Sequence, residues 1–396
     1  MLASWFYHVS MVRLHFTYGP LPSDADITVY LYVAPVHDHH APRLHTMSPE
    51  PEGHGELNWH GGSGDQSRRV VATVELPEGA MGSFMVAPVP PEVAAQIESS
   101  ADTRQRFLLL AEHTIDTADP ALTVDPAAEI APAAGARESG RIILPSAPPR
   151  PGWEAVPCAP PRSPEAAGWT RHQVADRTVW RAGRPGGFLL ILFDATTWTA
   201  THLPQVLDTL HGRGDIPACE IVAVETHQDR ARTLGCSEEF ARWVAVDLLE
   251  QFPSYSPEQV VVAGQSLGGV SAVNVARLYP DHVGGVVANS PSFWWPTRGV
   301  AVGGNMLRFL KKPGAVENIA KSGVRIFLSA GTAEGGGAVT GDEESSAMVA
   351  DAQAVAGVLE NGGVDVHVDI SIAAHEMAAW EGALTRGLVW VLGTGE

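Results

Sequence analysis

The sequence predicts an α/β protein, in which a small N-terminal β-sandwich precedes a larger domain with a doubly wound, mostly parallel sheet. From about Trp169 onward, apolar runs such as 187–193 and 259–263 alternate with helical patterns, as in parallel sheets covered on both faces. Before residue 110, short runs rich in β-branched and aromatic residues are separated by turns. Between these parts lies a tract dense in Pro and Ala. We therefore expect a sandwich over 1–120, a linker over 121–165 and the α/β domain over 166–396.

Composition narrows the class of protein. The 396 residues are 45% hydrophobic, which is typical of globular domains with sizeable cores. Lys and Arg number 26 against 45 Asp and Glu, a net charge of −19, which argues against binding nucleic acid or an anionic membrane. No apolar run reaches the roughly 18 residues of a membrane span, and the N-terminus lacks the pattern of a secretory signal. Three widely spaced cysteines are typical of a reducing compartment, so we expect a soluble cytoplasmic protein.

A candidate nucleophile lies at a predicted turn from strand to helix. Gly264-Gln265-Ser266-Leu267-Gly268 follows the apolar run 260–263 and begins a helical pattern, the context in which G-x-S-x-G forms a nucleophile elbow. The cramped backbone around Ser266 requires small neighbours two residues before and after it, and both are glycine. The start of the helix offers unpaired N–H groups, with that of Leu267 aimed at a developing oxyanion. A tight turn with a capping serine is the alternative interpretation.

The base and the acid are predicted from chain order, which in α/β-hydrolases runs serine, acid, histidine. His375 follows the last strand-like run and is the candidate base, whereas His367 falls inside that run and is expected to face outward. Glu334, just after the run 324–329, is the candidate acid. Asp342 is the main rival in the same loop, with Glu343 and Glu344 next to it. The acid's task is to orient the imidazole and stabilise the imidazolium.

Six ordered segments resemble the enterochelin (enterobactin) esterase family of α/β-hydrolases. The clearest are Val-Val-Ala-Gly-Gln-Ser-Leu-Gly-Gly around Ser266 and Asn-Ser-Pro-Ser-Phe-Trp-Trp-Pro-Thr-Arg at 289–298. The segments that match the family's motifs are 193–198, 230–236, 261–272, 289–298, 330–334 and 373–380. Residues 76–84, 116–120 and 151–153 are similar to the family's N-terminal lid domain and linker. The resemblance covers most of the chain.

The resemblance implies a cytoplasmic esterase that hydrolyses the trilactone backbone of a ferric catecholate siderophore and releases iron. Ser266 is then the nucleophile, His375 the base and Glu334 the acid, and the oxyanion hole is formed by the backbone N–H of Leu267 and one near Ala195. The sequence departs from the family pattern where Ala195 replaces Gly, where Ala373-Ala374 replaces Gly-Gly, and where Glu381 replaces Arg. The loop after Glu334 is also longer, which keeps Asp342 as an alternative acid.

The expected substrate is a small molecule that carries several negative charges, so a strongly negative protein must attract it locally with basic and aromatic groups. Five side chains are expected near it: Arg298, Arg230, Trp198, Trp294 and Trp295. Arg298 follows an aromatic run. Arg230 lies past the carboxyl end of a strand, where ligands bind in open α/β sheets. Core packing is the alternative for the tryptophans, and surface ion pairs are the alternative for the arginines.

No metal or organic cofactor is expected, since the iron belongs to the substrate. A histidine-rich stretch, with His37, His39, His40, His45, His54 and His60, has no zinc-like spacing and no cysteine partners. We therefore interpret it as a solvated loop.

Two other functions fit the same residues. The first is a serine hydrolase or acyltransferase that acts on another ester, a depsipeptide or a thioester, because one fold hosts many chemistries. The second is a siderophore-binding protein without catalysis, which would require the triad to be incidental.

Overall fold

A computed structural model describes the chain in two compact units. The division falls between Ala147 and Pro148 along the chain, inside the segment 121–165 that the sequence predicts as a linker. The described residues are 11–21, 26–34, 44–49, 68–101, 103–115, 121–124, 129–131, 140–157, 160–226, 229–296, 304–334 and 347–393.

The first unit contains two antiparallel sheets. One has the order β4-β5-β1-β7 and the other β3-β2-β6-β9-β8, with these strands: β1 Met11–Leu21, β2 Thr28–Val33, β3 Leu44–Thr46, β4 Ser48–Pro49, β5 Arg68–Pro77, β6 Met81–Val89, β7 Leu122–Val124, β8 Glu129–Ala131 and β9 Gly140–Ile143. The rings of Phe16 and Phe84, one from each sheet, meet edge to face with centroids 5.2 Å apart. Helices α1 (Pro91–Ser99) and α2 (Thr103–Glu112) contribute buried Ile97 and Leu110 to the same unit. Because β7, β8 and β9 pair with these sheets, the predicted linker contains strands of the first unit.

The second unit contains an eight-stranded sheet of order β10-β11-β13-β12-β14-β15-β16-β17. Its strands are β10 Thr170–Val174, β11 Arg177–Gly183, β12 Phe188–Phe193, β13 Cys219–Val224, β14 Val260–Gln265, β15 Gly285–Asn289, β16 Arg325–Gly331 and β17 Asp365–Ser371. The last six in the spatial order are mutually parallel, and β11 pairs antiparallel with both of its neighbours, β10 and β13. Every residue of β12, β13, β14 and β15 is buried, which is why these strands are mostly apolar.

Helices cover both faces of this sheet. They are α3 Ala195–Trp198, α4 Leu203–Arg213, α5 Arg230–Leu234, α6 Glu238–Arg242, α7 Leu267–Leu278, α8 Gly304–Leu310, α9 Ala315–Ser322, α10 Ala347–Asn361 and α11 Met377–Leu392, with a π-helical turn at Trp243–Leu248. One apolar cluster joins α6, α7, α8, α9 and α10 to the sheet, and a second joins α3, α4 and α11 to it. The predicted doubly wound, mostly parallel sheet is therefore confirmed. Within the described residues, no helix is long and apolar enough to cross a bilayer.

This topology places the candidate residues at one edge of the sheet. Ser266 follows β14, Glu334 follows β16 and His375 follows β17. Because parallel strands all end at the same edge, the three residues belong to the carboxyl edge of the sheet. His367, inside β17, is exposed, as expected for an outward-facing strand residue.

Candidate active site

Ser266 occupies a strained turn between β14 and α7. Its backbone has φ 57° and ψ −121°, a region that non-glycine residues rarely adopt and that often marks functional sites. A side chain at Gly264 would place its Cβ 2.6 Å from the carbonyl carbon of Gly268, so this close approach requires glycine. The turn is further held by the Ser266 N–H, which donates to the Asn289 carbonyl at 2.9 Å. This is the nucleophile-elbow geometry that the G-x-S-x-G sequence predicts.

The hydroxyl of Ser266 has a second hydroxyl beside it. Its Oγ lies 3.2 Å from Oγ of the buried Ser292, whose backbone N–H donates to the Ser266 carbonyl at 3.1 Å. Across the described parts of the chain, Ser266 makes no hydrogen bond to His375. The candidate nucleophile and the candidate base therefore lie at the same edge of the sheet without a hydrogen bond between them in this structure.

The predicted acid and base are joined. His375 Nδ1 lies 2.9 Å from Glu334 Oε2, with the Glu334 side chain 1% exposed and the His375 side chain 37% exposed. Backbone bonds join the two loops as well, since the N–H groups of Thr332 and Ala333 donate to the carbonyls of Ser371 and Ala373 at 2.9 and 3.0 Å. Because a carboxylate can only accept, Nδ1 carries the proton and leaves Nε2 as the basic nitrogen.

The other oxygen of Glu334 is also hydrogen-bonded. Oε1 accepts from the Gly331 N–H at 2.7 Å and from the hydroxyl of Ser290. Ser290 in turn accepts from the indole N–H of Trp380 at 2.9 Å. The ring of Trp380 stands perpendicular to the imidazole of His375, with centroids 4.9 Å apart. A buried carboxylate with this many donors is held in one orientation.

Two backbone N–H groups are available for a developing oxyanion. Leu267 begins α7 and Ala195 begins α3, and the first N–H groups of a helix have no partner inside the helix. In the parts of the chain that the structure describes, neither group donates a hydrogen bond elsewhere. Asp194, which precedes Ala195, lies beside the elbow, since Oδ2 is 3.3 Å from the position that a Cβ on Gly268 would take.

Arg230 and Trp198, both predicted to contact substrate, are committed to a buried network around Asp194. The guanidinium of Arg230 forms a bidentate pair with Asp194, with Nε at 2.7 Å and Nη2 at 2.6 Å. Trp198 is 0% exposed and donates its indole N–H to Gln265 Oε1 at 2.9 Å. This burial leaves Trp198 no surface for a substrate, so its structural position corrects the expectation from sequence. Arg230 has a structural role as well, because it neutralises Asp194, whose side chain is buried.

The remaining expected substrate residues follow β15. Trp294 and Trp295 are partly buried, with ring centroids 6.1 Å apart. The indole of Trp295 packs on the backbone of Gly235, where a Cβ would lie 2.2 Å from Nε1. Arg298 and the alternative acids Asp342, Glu343 and Glu344 lie outside the described residues.

Metal-ligating side chains and cysteine thiols were the other groups of interest among the described residues. Among them, no three His, Cys, Asp or Glu side chains are grouped so that they could hold a metal ion, and the side chains of the histidine-rich stretch lie outside them. Burial raises the pKa of the Cys236 thiol to about 11 and that of Cys219 well above its ordinary value. Neither thiol is therefore an ionised nucleophile at neutral pH.

Sequence reasoning gave no individual role to Ser290, Ser292, Asp194 or Trp380. All four fall inside the segments that carry the family resemblance. Ser290 and Ser292 follow β15, Asp194 follows β12, and Trp380 lies in the first turn of the helix after the candidate base. These positions are the sequence signal that could have indicated a role in the site.

Among the curated proteins that are similar to this chain are iron(III) enterobactin esterases. The iron(III) enterobactin esterase of Escherichia coli (strain K12) is 33% identical over 215 residues, 49% of this chain and 50% of the relative. That of Dickeya dadantii (strain 3937) is 28% identical over 280 residues, 63% of this chain and 60% of the relative. The chain thus spans about half the length of the E. coli relative.

Solved structures show the fold. Ferric enterobactin esterase from Salmonella typhimurium has a TM-score of 0.72 at 22% identity, and covers 96% of this chain and 93% of its own. Enterobactin esterase from Shigella flexneri, crystallised in the presence of enterobactin, has a TM-score of 0.71 at 22% identity and the same coverage. These likenesses confirm the α/β-hydrolase type of fold. Residues 206–391 match the protein-family model described as putative esterase.

Proposed function

We propose that this chain is a cytoplasmic serine esterase that hydrolyses the trilactone backbone of a ferric catecholate siderophore of the enterobactin type. The observation that carries the proposal is the hydrogen-bonded pair of Glu334 and His375, at the same edge of the sheet as the strained Ser266. The enterobactin esterases among the relatives and solved structures support the substrate class.

In the proposed reaction, Ser266 Oγ attacks an ester carbonyl carbon and its proton passes to Nε2 of His375. The N–H groups of Leu267 and Ala195 stabilise the negative charge that develops on the carbonyl oxygen. The tetrahedral intermediate then breaks its bond to the leaving alkoxide, which takes the proton from His375 and departs as an alcohol. Water attacks the acyl-enzyme in the same way, and returns a carboxylic acid and the free serine.

Glu334 holds His375 in the tautomer with the proton on Nδ1 and stabilises the imidazolium that forms during each step. In this structure Ser266 Oγ lies 3.2 Å from Ser292 Oγ, so the reaction requires its hydroxyl to donate to Nε2 of His375 instead. Such hydrogen bonds are often long in free enzymes and shorten when substrate binds.

The proposed substrate and the protein as a whole are both negatively charged, so the substrate must be attracted by local groups in the binding site. A ferric catecholate is an anion, whereas the chain has a net charge of −19, so binding depends on nearby cations and aromatic rings. Trp294, Trp295 and Arg298 remain our candidates. We further infer that the two N-terminal sheets form the β-sandwich that the sequence predicts, and that the iron is released as cargo of the substrate.

Glu381, one of the departures from the family pattern, does not indicate a different substrate. Glu381, where the family has Arg, is fully buried in an ion pair with Arg150. It therefore presents no negative charge to a bound ligand. A serine hydrolase acting on another ester remains the second candidate on chemical grounds alone.

The test is an assay of purified protein with a ferric enterobactin-type trilactone, with products resolved by mass spectrometry, beside simple acyl esters. We expect hydrolysis of the trilactone, its loss in Ser266→Ala and His375→Ala, and its retention in His367→Ala, the matched control on β17. A fluorophosphonate should label the wild type and not Ser266→Ala. Faster turnover of the simple esters by orders of magnitude would favour the second candidate. Tight siderophore binding without any hydrolysis would favour a binding protein.

A further inference from the structure

Ser290 and Trp380 connect the acid and the base to the first turn of α11. We propose that they are positioning residues, which hold the Glu334 carboxylate and the His375 imidazole in their reactive orientation. This inference rests on the proposed esterase function and assigns a role to two side chains outside the triad.

The direction of each hydrogen bond follows from the donor groups. An indole N–H can only donate, so Ser290 Oγ accepts from Trp380 at 2.9 Å. The single proton of the hydroxyl is then free to go to Glu334 Oε1, which as a carboxylate oxygen can only accept. Trp380, Ser290, Glu334 and His375 therefore form one ordered chain of donors and acceptors.

The backbone of Ser290 is fixed in a way that suits this role. The residue is 1% exposed and has φ 44°, which is uncommon for serine. Its N–H donates to the Ser329 carbonyl at 2.8 Å. The neighbouring Asn289 accepts from the Ser329 hydroxyl at 3.1 Å and donates to the Trp380 carbonyl at 3.3 Å. A strained residue pinned on both sides directs its hydroxyl at the acid and cannot easily turn away.

Trp380 acts on both partners. Its N–H reaches the acid through Ser290, and its ring stands at 90° to the imidazole of His375. The ring limits rotation of the imidazole about its Cα–Cβ and Cβ–Cγ bonds, while the carboxylate sets the proton on Nδ1. Loss of the N–H should therefore weaken the hold on the acid, and loss of the ring should also free the base.

The experiment compares four single variants. Ser290→Ala removes the hydroxyl, Ser290→Gly does so with a residue that accepts a positive φ, Trp380→Phe removes the N–H and keeps a ring, and Trp380→Leu removes both. Trp390→Phe is the matched control, since Trp390 lies on the same helix but contacts Phe327 and His367. The readouts are kcat and KM for ester hydrolysis, the rate of fluorophosphonate labelling, and the downfield NMR resonance of the His375 Nδ1 proton. Circular dichroism and thermal melting identify any variant that fails to fold.

We expect kcat to fall about 10- to 100-fold in Ser290→Ala and Ser290→Gly, as for a lost bond to a charged group, and by a smaller factor of about 2- to 10-fold in Trp380→Phe, which loses a bond to a neutral hydroxyl. KM should change little, and Trp380→Leu should lose more. Because the N–H acts through the hydroxyl, Ser290→Ala combined with Trp380→Phe should be no worse than Ser290→Ala alone. The Nδ1 resonance should shift or broaden in these variants and stay unchanged in Trp390→Phe.

Folded Ser290 and Trp380 variants with an unchanged Nδ1 resonance would overturn the proposal, whatever their kcat. So would additive effects in the double variant. The resonance needs no substrate, so this outcome is separate from failure of the proposed function, which would show as no trilactone hydrolysis by the wild type.

Discussion

Replacing Arg230 tests whether this side chain binds substrate or holds the loop that carries Ala195. Its two hydrogen bonds to Asp194, at 2.7 and 2.6 Å, neutralise an aspartate whose side chain is 6% exposed. Asp194 has φ 60° and directly precedes the candidate oxyanion donor. We expect Arg230→Ala to lower kcat and leave KM nearly unchanged, because the damage is to the geometry of the transition state.

The expected size follows from the burial of the pair. Removing one partner of a buried ion pair costs about 3 to 5 kcal/mol, but the Arg230 side chain is 38% exposed, so solvent screening reduces that cost. The hydroxyl of Thr226 also continues to donate to Asp194, at 2.5 Å. We therefore expect a loss of about 2 kcal/mol in the free energy of unfolding. Displacement of one oxyanion donor costs about 10²- to 10³-fold in kcat, and we expect about 10²-fold.

Steady-state kinetics and urea unfolding measure both effects. Arg232→Ala is the matched control, because this arginine lies on the same short helix with its side chain 84% exposed and 3.9 Å from Asp229. It should change stability and kcat very little, since exposed pairs contribute about 0 to 1 kcal/mol. Arg230→Lys should recover part of the loss, because lysine restores the charge without the bidentate geometry. An increase in KM with unchanged kcat and stability would refute this reasoning and restore the substrate-binding role.

Three further predictions follow from other contacts. Gly264→Ala should lower fluorophosphonate labelling and kcat at least 10²-fold, because its Cβ would lie 2.6 Å from backbone; near-normal labelling would contradict the elbow geometry. Arg150→Met should lower the free energy of unfolding by about 3 to 5 kcal/mol by removing the arginine that pairs with the buried Glu381, while Arg150→Met with Glu381→Met should lose much less; equal losses in urea unfolding would argue against this pair. Burial and a hydrogen bond to Glu220 raise the pKa of Tyr255 to about 12, so folding favours the neutral phenol. The resulting stability is present below the unfolded pKa of about 10 and is lost between pH 10 and 12. Tyr255→Phe should make this alkaline loss shallower, and an identical pH profile would exclude the effect.

The parts of the fold and site that sequence predicts well depend on local pattern. The apolar strands β12 to β16 are buried on both faces, so their composition alone identifies them. The turn at Ser266 needs glycines at fixed spacing, so it too is visible in the sequence. The sequence does not predict the hairpin of β10 and β11, because the first four residues of β10 are exposed and the strand lacks an apolar pattern.

The partnerships within the site could not be predicted in the same way. Ser290 and Trp380 lie 90 residues apart, and Arg230 lies 36 residues from Asp194. An arginine after a strand end has the same sequence pattern whether it meets a ligand or a buried aspartate. Only the folded chain decides between these, because both roles use the same guanidinium geometry.

The hydrogen bonds between the loops after β16 and β17 affect how the candidate triad could reach its reactive arrangement. The backbone N–H groups of Thr332 and Ala333 donate to the carbonyls of Ser371 and Ala373. The loops that carry the candidate acid and the candidate base are therefore bonded to each other. In the proposed mechanism, the step that precedes catalysis is then the exchange of the Ser266 contact with Ser292 for a hydrogen bond to the imidazole of His375.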